Sequence, residues 1–260
     1  MLDNLFSMQG KVCVVTGGSR GLGAFMAQGF LEAGAKRVYI TARKAEACLA
    51  AAEELSQFGE CVALVGDVAT SEGVMALVKQ LNEREQHIDV LVNNAGTAWG
   101  APFGQFPEKG WDKVMDLNVK SPFFLTQALT PLLEKNATKD NTSAVINIGS
   151  IAGIVGNGLD NYSYAVSKSA IHQLTRVLAK ELVDKHIRVN AIAPGRFYSK
   201  MTEFLSEDKE AFEEELQSIP MRRWGESTDI AGVALMLASK AGAFMTGQIL
   251  PVDGGTTLVN

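Results

Sequence analysis

The chain has 260 residues, a formal net charge of −5, 47% hydrophobic and 20% charged residues. This length and balance fit one large folded domain and exclude long disorder, and the acidic net charge gives no basis for nucleic-acid binding. Three cysteines without a C-x-x-C pair predict neither disulfides nor a zinc site, and no metal ligands are predicted; this favours a cytoplasmic setting. No apolar run reaches the about 20 residues of a membrane span, and the first residues do not resemble a signal peptide.

Short β-branched runs alternate along the chain with helical patterns. The predicted strands are 11–16, 37–41, 61–65, 88–92, 144–148, 187–192 and 248–252, and the predicted helices are 20–34, 45–58, 71–85, 113–134, 164–185, 206–218 and 229–238. We expect Pro122 and Pro131 to bend the fourth helix. The alternation predicts a doubly wound α/β fold with a parallel seven-stranded, Rossmann-type sheet, as a single domain over residues 1–260. A βα barrel would need one more strand.

A glycine-rich loop follows the first strand directly. Glycine lets the chain turn tightly and approach a pyrophosphate closely, and the start of the next helix offers free N–H groups to phosphates. The alternative, a glycine-rich turn without a ligand, is disfavoured by the position of the loop on the first βα connection. The residues predicted to bind a dinucleotide here are Gly17, Ser19, Arg20, Gly21, Leu22 and Gly23.

The end of the second strand bears on the choice of dinucleotide. NAD-binding sites place an acid there to bind the ribose 2′-OH, but this strand continues into Ala42-Arg43-Lys44. Arg43 and Arg20 can bind a 2′-phosphate through charge-assisted hydrogen bonds, so the predicted cofactor is NADP(H). In the alternative interpretation, Arg43 only begins a solvent-exposed helix.

Tyr164 and Lys168 are spaced i, i+4 on a predicted helix, so they share one face. A nearby ammonium lowers the pKa of a tyrosine from its ordinary value of about 10. The pair can then give or take a proton at a substrate oxygen. Tyr162 has Val166 at i+4 and lacks such a partner. Tyr–Lys pairs are also common on exposed helices, so this pattern gains weight only from other residues at the same edge of the sheet.

Further polar residues follow the fourth and fifth strands, at the edge where open α/β sheets bind ligands. Ser150 ends the fifth strand, and its hydroxyl can polarise a substrate carbonyl or merely cap the turn. Asn93-Asn94-Ala95-Gly96 ends the fourth strand, and its small residues suit close passage of a cofactor. Asn118 lies inside a helix, where asparagine is disfavoured unless its side chain is used.

Together these motifs resemble the classical short-chain dehydrogenase/reductase family from Val12 to Gly255. Asp67-Val68, Pro194-Gly195 and the C-terminal Val252-Asp253-Gly254-Gly255 belong to the match. The resemblance implies an NADP(H)-dependent oxidoreductase in which Tyr164 is the proton donor. It also implies catalytic roles for Ser150, Lys168 and Asn118, the last anchoring a water that relays protons through Lys168.

The same resemblance implies how the cofactor lies. Asp67-Val68 would flank the adenine, and Asn94-Ala95-Gly96 would line a ribose. Tyr164 and Lys168 would contact the nicotinamide ribose. The loop after Pro194 and Gly195, including Phe197, would cover the nicotinamide, and Ser199 stands where the family often has a threonine that binds the carboxamide.

Two features depart from the family pattern. Ser150 and Tyr164 are 14 residues apart, one more than the commonest spacing, and an inserted loop residue can absorb the difference. Arg196-Phe197 follows Pro194-Gly195, where many relatives have small or β-branched residues.

Stretches 93–101, 193–197 and 219–225 resemble those of a β-ketoacyl reductase within the family. This implies reduction of a 3-oxoacyl thioester to the 3-hydroxyacyl form, a reaction of fatty acid metabolism. The alternatives are an alcohol or polyol dehydrogenase and a non-catalytic NADP(H) sensor; the presence of both Tyr164 and Lys168 opposes the sensor.

Residues 197–223 form the predicted substrate lid. Its apolar side chains can meet an acyl chain, or they can pack on the domain while its acids face water. Whether the acyl group is carried by acyl-carrier protein or by coenzyme A stays open, since the basic candidates Lys185, Lys200, Arg222 and Arg223 lie near many acids. The resemblance also implies a homotetramer in which helices 113–134 and 164–185 pair across a two-fold axis.

Overall fold

Seven parallel strands form the central sheet. They are β1 (Val12–Thr16), β2 (Arg37–Ala42), β3 (Cys61–Val65), β4 (Val90–Asn93), β5 (Ser143–Ile148), β6 (Ile187–Pro194) and β7 (Ile249–Val252). Their order across the sheet is β3-β2-β1-β4-β5-β6-β7. The order reverses between β1 and β4, and ligands of open α/β sheets bind at such a switch point. The computed structural model describes residues 4–156, 160–198 and 209–259.

Helices cover both faces of the sheet. They are α1 (Gly21–Glu32), α2 (Ala45–Leu55), α3 (Ser71–Arg84), α4 (Glu108–Met115), α5 (Ser121–Glu134), α6 (Tyr162–Leu182), α7 (Lys209–Ser218) and α8 (Ser227–Ala238). One apolar core lies under α1, α2 and α8, and a second lies under α3, α5 and α6. The predicted doubly wound α/β fold is thereby confirmed. Among the helices described, none is long and apolar enough to cross a membrane.

The segment predicted as one helix from 113 to 134 has three parts. α4 begins earlier, at Glu108, and residues 116–120 then form a π-helical turn before α5. The irregularity thus precedes Pro122, which lies in the first turn of α5, where its missing N–H is not needed. The irregularity therefore lies before Pro122 and not at it, while Pro131 lies inside α5, where the expected bend stays a prediction. The charged start of α4 lacks the apolar periodicity on which that prediction relied.

A buried chain of hydrogen bonds crosses the centre of the sheet. Asn93 and Asn147 are register partners on β4 and β5, and the Asn93 amide donates to Asn147 Oδ1 at 2.9 Å and to Thr126 Oγ1 at 3.1 Å. The Asn147 amide donates to Thr175 Oγ1 at 2.9 Å. All four side chains are buried. Because unpaired buried amides are costly, this chain fixes α5 and α6 against the strand ends.

All three cysteines are free and buried. Burial raises the pKa of the Cys61 thiol to about 12 and also raises the pKa of Cys48. These thiols therefore stay protonated and contribute to the apolar core as small hydrophobic side chains.

Candidate active site

The glycine-rich loop lies between β1 and α1, at the switch point of the sheet. Gly17 and Gly21 have positive φ angles, of 65° and 55°. A Cβ at Gly23 would overlap the Gly17 carbonyl oxygen and the Asn94 amide, so the loop and the helix start pack closely. Arg20, the N-cap of α1, is extended and makes no side-chain cap. The N–H groups at the start of α1 are therefore not capped by the Arg20 side chain, and a pyrophosphate can accept hydrogen bonds from such groups.

Thr16 joins this loop to the end of β4. Its hydroxyl donates to the Val92 carbonyl at 3.2 Å and accepts from the N–H groups of Asn94 and Ala95, each at 3.0 Å. The Asn94 amide donates in return to the carbonyls of Thr16 and Gly17, at 2.8 and 3.1 Å. The Asn94 side chain, predicted to line the cofactor, therefore also braces the loop. Sequence reasoning missed this role of Thr16.

Positive charge stands at the end of β2. Arg43 Nη1 lies 3.9 Å from Asp67 Oδ2, and both side chains are largely exposed, which makes a weak ion pair. Arg20 is exposed as well, at the start of α1. Asp67 accepts a hydrogen bond from the Ala69 N–H at 3.0 Å, and Val68 is buried behind it. The surface is suited to an anion such as a 2′-phosphate.

Ser150, Tyr164 and Lys168 come together at the carboxyl end of β5. Ser150 Oγ accepts a hydrogen bond from the Ala152 N–H at 3.2 Å, and the serine lowers the pKa of the Tyr164 phenol despite the extra residue between them. Lys168 Nζ lies 5.4 Å from the centre of the Tyr164 ring and donates to the Ile148 carbonyl at 2.7 Å. One turn of α6 thus separates the phenol of Tyr164 from the buried ammonium of Lys168, near the end of β5.

The pKa of Tyr164 departs from the sequence expectation. Burial raises it, whereas the hydrogen bond with Ser150 and the charge of Arg196 lower it. Lys168 faces the ring and the Ile148 carbonyl, and burial lowers its own pKa to about 8. The predicted lowering of the Tyr164 pKa by Lys168 is therefore wrong for this structure, because loss of solvent around the phenolate outweighs the nearby charges.

Asn118 lies in the π-helical turn and is 3% exposed. Its Oδ1 accepts from the Thr97 N–H at 2.9 Å, and its amide donates to the Thr97 carbonyl at 2.9 Å and to Ser167 Oγ at 3.0 Å. The amide therefore joins the loop after β4 to α6. Asn118 Oδ1 also lies close to Gly96. The role of Asn118 in anchoring a water that relays protons stays a prediction.

The loop that follows β6 lies at the same carboxyl edge of the sheet as the other site residues. Gly195 N–H donates to the Val252 carbonyl at 2.9 Å, and a Cβ at Gly195 would press on Asp253. The Phe197 side chain is buried in the core against Gly225, so a contact with a nicotinamide would involve its backbone. Pro194 ends β6 at the same edge, and Ser199 lies outside the described residues.

Arg196 is a site residue whose role sequence reasoning missed. Its Nε forms an ion pair with Glu215 Oε1 of α7 at 2.5 Å, and its charge acts on Tyr164. The guanidinium therefore connects helix α7 electrostatically to the predicted proton donor. The only signal in the sequence was an unusual Arg after Pro194-Gly195.

Comparison with known proteins decides the family. A family model described as enoyl-(acyl carrier protein) reductase matches residues 17–257. The 3-oxoacyl-acyl-carrier-protein reductase of rhamnolipid biosynthesis from Pseudomonas aeruginosa is 52% identical over 250 residues, which are 96% of this chain and 97% of that protein. The chain belongs to the short-chain dehydrogenase/reductase family. It is therefore an oxidoreductase, as predicted.

Two further proteins are similar to this short-chain dehydrogenase/reductase, and they are named for different substrates or ligands. The solved structure of the Pseudomonas aeruginosa RhlG/NADP active-site complex is 50% identical, has a TM-score of 0.95, and overlaps 98% of this chain and 99% of that chain. The 5-keto-D-gluconate 5-reductase of Escherichia coli K12 is 39% identical over 259 residues, covering 98% of each protein. The predicted resemblance to a β-ketoacyl reductase is confirmed, and relatives named for sugar acids also match.

The described part of the predicted lid packs on the domain of this short-chain dehydrogenase/reductase. Phe212 of α7 and Tyr198 each lie against Trp224, with ring centres 5.0 Å apart in both pairs. Trp224 and Ile219 are buried. These side chains therefore favour the packing interpretation of the lid. Three of its apolar residues, Met201, Phe204 and Leu205, lie outside the described residues, as does Lys200.

We predict that Thr16→Val lowers the free energy of unfolding by about 1–3 kcal/mol, because two N–H groups lose their shared acceptor. Urea unfolding measures the change. Thr16→Ser keeps the hydroxyl and is the matched control, so it should lose clearly less. A Thr16→Val protein as stable as the wild type would mean that the hydrogen bonds of the Thr16 hydroxyl do not stabilise the loop.

Proposed function

We propose that this protein is an NADP(H)-dependent carbonyl reductase in which Tyr164 gives a proton to the carbonyl oxygen. The observation that carries the proposal is the position of Lys168 Nζ, 5.4 Å from the centre of the Tyr164 ring, together with the lowering of the Tyr164 pKa by Ser150. The three groups meet at the edge of the sheet where α/β folds bind ligands. When bound, NADPH supplies the hydride.

Different residues of this chain are proposed to bind different parts of the cofactor. The glycine-rich loop and the start of α1 would bind the pyrophosphate, and Arg20 and Arg43 would bind the 2′-phosphate. The NADP complex named for the relative of 50% identity supports this cofactor. The remaining residues proposed to contact it are Ser19, Leu22, Asp67, Val68, Asn94, Ala95, Gly96, Tyr164, Lys168, Pro194, Gly195, Phe197 and Ser199.

The protonation states favour reduction. Because burial raises the pKa of Tyr164, the phenol keeps its proton near neutral pH and is ready to donate it. The Ser150 hydroxyl would donate a hydrogen bond to the substrate carbonyl and so polarise it. Lys168, whose pKa burial lowers to about 8, can pass a proton on to restore the phenol, with Asn118 beside it in the π-helical turn.

A 3-oxoacyl thioester is the substrate that we propose. Phe103 and Phe106 lie edge-on against Tyr162, with ring centres 5.6 and 5.7 Å apart, and form an aromatic wall at the start of α6, the helix that carries Tyr164. The loop that carries them is fixed to this region by the Ala101 N–H, which donates to the Asp160 carbonyl at 2.9 Å. An apolar wall suits an acyl chain better than a polyol. The relative of 52% identity, named as a 3-oxoacyl reductase, supports the same class.

A keto-sugar acid is the second candidate. The relative named 5-keto-D-gluconate 5-reductase supports it, as does the charge of Arg196 near Tyr164, which suits a carboxylate. NADPH oxidation measured with an acetoacetyl thioester and with 5-keto-D-gluconate in parallel separates the two. Higher kcat/KM on the thioester supports the first candidate; higher kcat/KM on the sugar acid replaces it while leaving the proton-donor proposal intact.

Two of the basic side chains predicted as candidates for contact with an acidic carrier protein of the acyl group already form ion pairs. Lys185 Nζ already pairs with Glu134 at 2.7 Å, and Arg223 pairs with Asp229 through two contacts of 2.6 and 3.0 Å. Basic groups that are already neutralised attract an acidic carrier protein less. We therefore propose that the thioester and its acyl chain are recognised more strongly than the carrier.

A homotetramer is proposed for the assembly. Apolar side chains stand exposed on the two helices expected to pair across a two-fold axis: Phe124 on α5, and Val166 and Val177 on α6. Phe244 and Leu258 add fully or largely exposed apolar surface near the C-terminal edge. Exposed apolar side chains mark an interface where they form one continuous patch, and we propose that those on α5 and α6 do so. Light scattering should give four times the chain mass of 27.9 kDa; the mass of a single chain would exclude the assembly.

We expect Tyr164→Phe to lower kcat by about 10²–10⁴-fold, because the general acid is lost. The NADPH dissociation constant, measured by fluorescence titration, should stay nearly unchanged. Tyr162→Phe is the matched control, since the Tyr162 hydroxyl contacts Asp160 and its ring is kept. A Tyr164→Phe enzyme with the wild-type rate would show that the proton comes from another group.

Arg43→Ala should weaken NADPH binding by about tenfold or more, the loss of one charge-assisted hydrogen bond. NADH binding should change little, because NADH lacks the 2′-phosphate. Titration of both dinucleotides gives the two dissociation constants, and Arg84→Ala on the exposed end of α3 is the control. Equal weakening of NADPH and NADH would remove the 2′-phosphate role of Arg43.

Arg196→Gln should move the basic limb of the pH–rate profile for carbonyl reduction to higher pH. The charge of Arg196 lowers the pKa of Tyr164, so its removal raises that pKa, and the protonated donor then persists at higher pH. kcat/KM measured across pH checks the shift, with Arg84→Gln as the control. A limb that stays in place or moves to lower pH would contradict the coupling.

A further inference from the structure

His172 lies on α6 one turn beyond Lys168, so Tyr164, Lys168 and His172 repeat every four residues along one side of the helix. Its side chain is buried, with 4% of its surface exposed. Sequence reasoning did not select this residue, because nothing in the local pattern shows what a helical histidine packs against.

The imidazole packs directly behind the turn that carries Ser150. A Cβ at Gly149 would overlap His172 Nε2, so the ring nitrogen lies against the backbone of the residue before Ser150. On its other side the same backbone is fixed to β6, because the Gly149 N–H donates to the Ile192 carbonyl at 2.7 Å. The backbone that leads into Ser150 is thus held between a strand and an imidazole.

The other end of the turn also contacts His172. The Gly153 carbonyl accepts a hydrogen bond from Ser169 Oγ at 3.0 Å, and the Gly153 backbone acts on the imidazole by raising the pKa of His172. His172 Nε2 is buried and has no hydrogen-bond partner. A Cβ at Gly153 would overlap the Lys168 backbone, so the turn sits directly on α6. His172 therefore touches the turn on both sides of Ser150.

The ring is neutral under ordinary conditions. Burial, with a smaller effect from the charge of Lys168, lowers the pKa of His172 to about 4. A neutral ring carries one proton on one of its two nitrogens, and Nε2 is the nitrogen that faces Gly149. It adds no second positive charge beside Lys168.

We propose that His172 is a positioning residue, whose imidazole sets where the Ser150 hydroxyl meets Tyr164. The inference rests on the proposed function of the Ser150–Tyr164 pair. Displacement of a reacting group by about 1 Å can cost about 10²-fold in rate. A residue that shapes this turn should therefore act on kcat, while dinucleotide binding at the β1–α1 loop stays intact.

A double-substitution cycle tests the proposal, with NADPH oxidation measured on the substrate that wild type turns over best. Gly149→Ala should lower kcat about 10²-fold, since its methyl group meets the imidazole, and His172→Ala should lower kcat about tenfold. The double variant should be at least about tenfold faster than Gly149→Ala, because the overlap is removed. Gly232→Ala on α8, with open space around its Cβ, is the matched control.

Further readouts separate positioning from loss of folding. His172→Asn keeps a donor near the Gly153 carbonyl and should recover part of the kcat lost in His172→Ala. The NADPH dissociation constant and the melting temperature of each variant report the intact fold. A His172→Ala enzyme with wild-type kcat, or a double variant no faster than Gly149→Ala, would overturn the proposal. Tyr164→Phe is run beside it: retained activity there would instead overturn the proposed function.

Discussion

The paired amides of Asn93 and Asn147 are the interaction on which the site depends. They lie in register on β4 and β5 and extend through Thr126 and Thr175 to the two helices on that face. An amide buried among apolar strands must be satisfied, so a shift of either helix along the sheet would break several hydrogen bonds at once. The helix that carries Tyr164 and Lys168 is thereby placed relative to the ends of the strands that carry the other site residues.

Burial acts in opposite directions on the two titrating groups of the site. It raises the pKa of the Tyr164 phenol and lowers the pKa of the Lys168 ammonium, because in both cases the charged form loses its water. Burial therefore opposes ionisation of both groups, while a pKa of about 8 still leaves Lys168 largely protonated at neutral pH. Such a site suits a neutral carbonyl group. The charge of Arg196, which pairs with Glu215 of α7, acts on the site in addition to burial.

The sequence predicted the architecture well because alternation of short buried runs and helical patterns is a local signal. The seven parallel strands and the glycine loop on the first connection were predicted from it. It also predicted which residues reach the carboxyl edge. It could not predict contacts between distant segments: the hydroxyl of Thr16 under Asn94, the imidazole of His172 behind Gly149, or the pairing of Arg196 with Glu215. The direction of the Tyr164 pKa was wrong for the same reason, since burial is a property of the whole fold.

The π-helical turn at residues 116–120 makes the joint between α4 and α5 sensitive to residue count. Each residue of an α-helix turns the chain by about 100°, and a π turn contains one residue more than an α turn. Deleting one residue there would restore a regular helix, but it would rotate α4 around its axis. The face that packs Gly110 under Trp99 would then point elsewhere, and Asn118 would leave Thr97. A change that improves local helix geometry would thus dismantle one wall of the site.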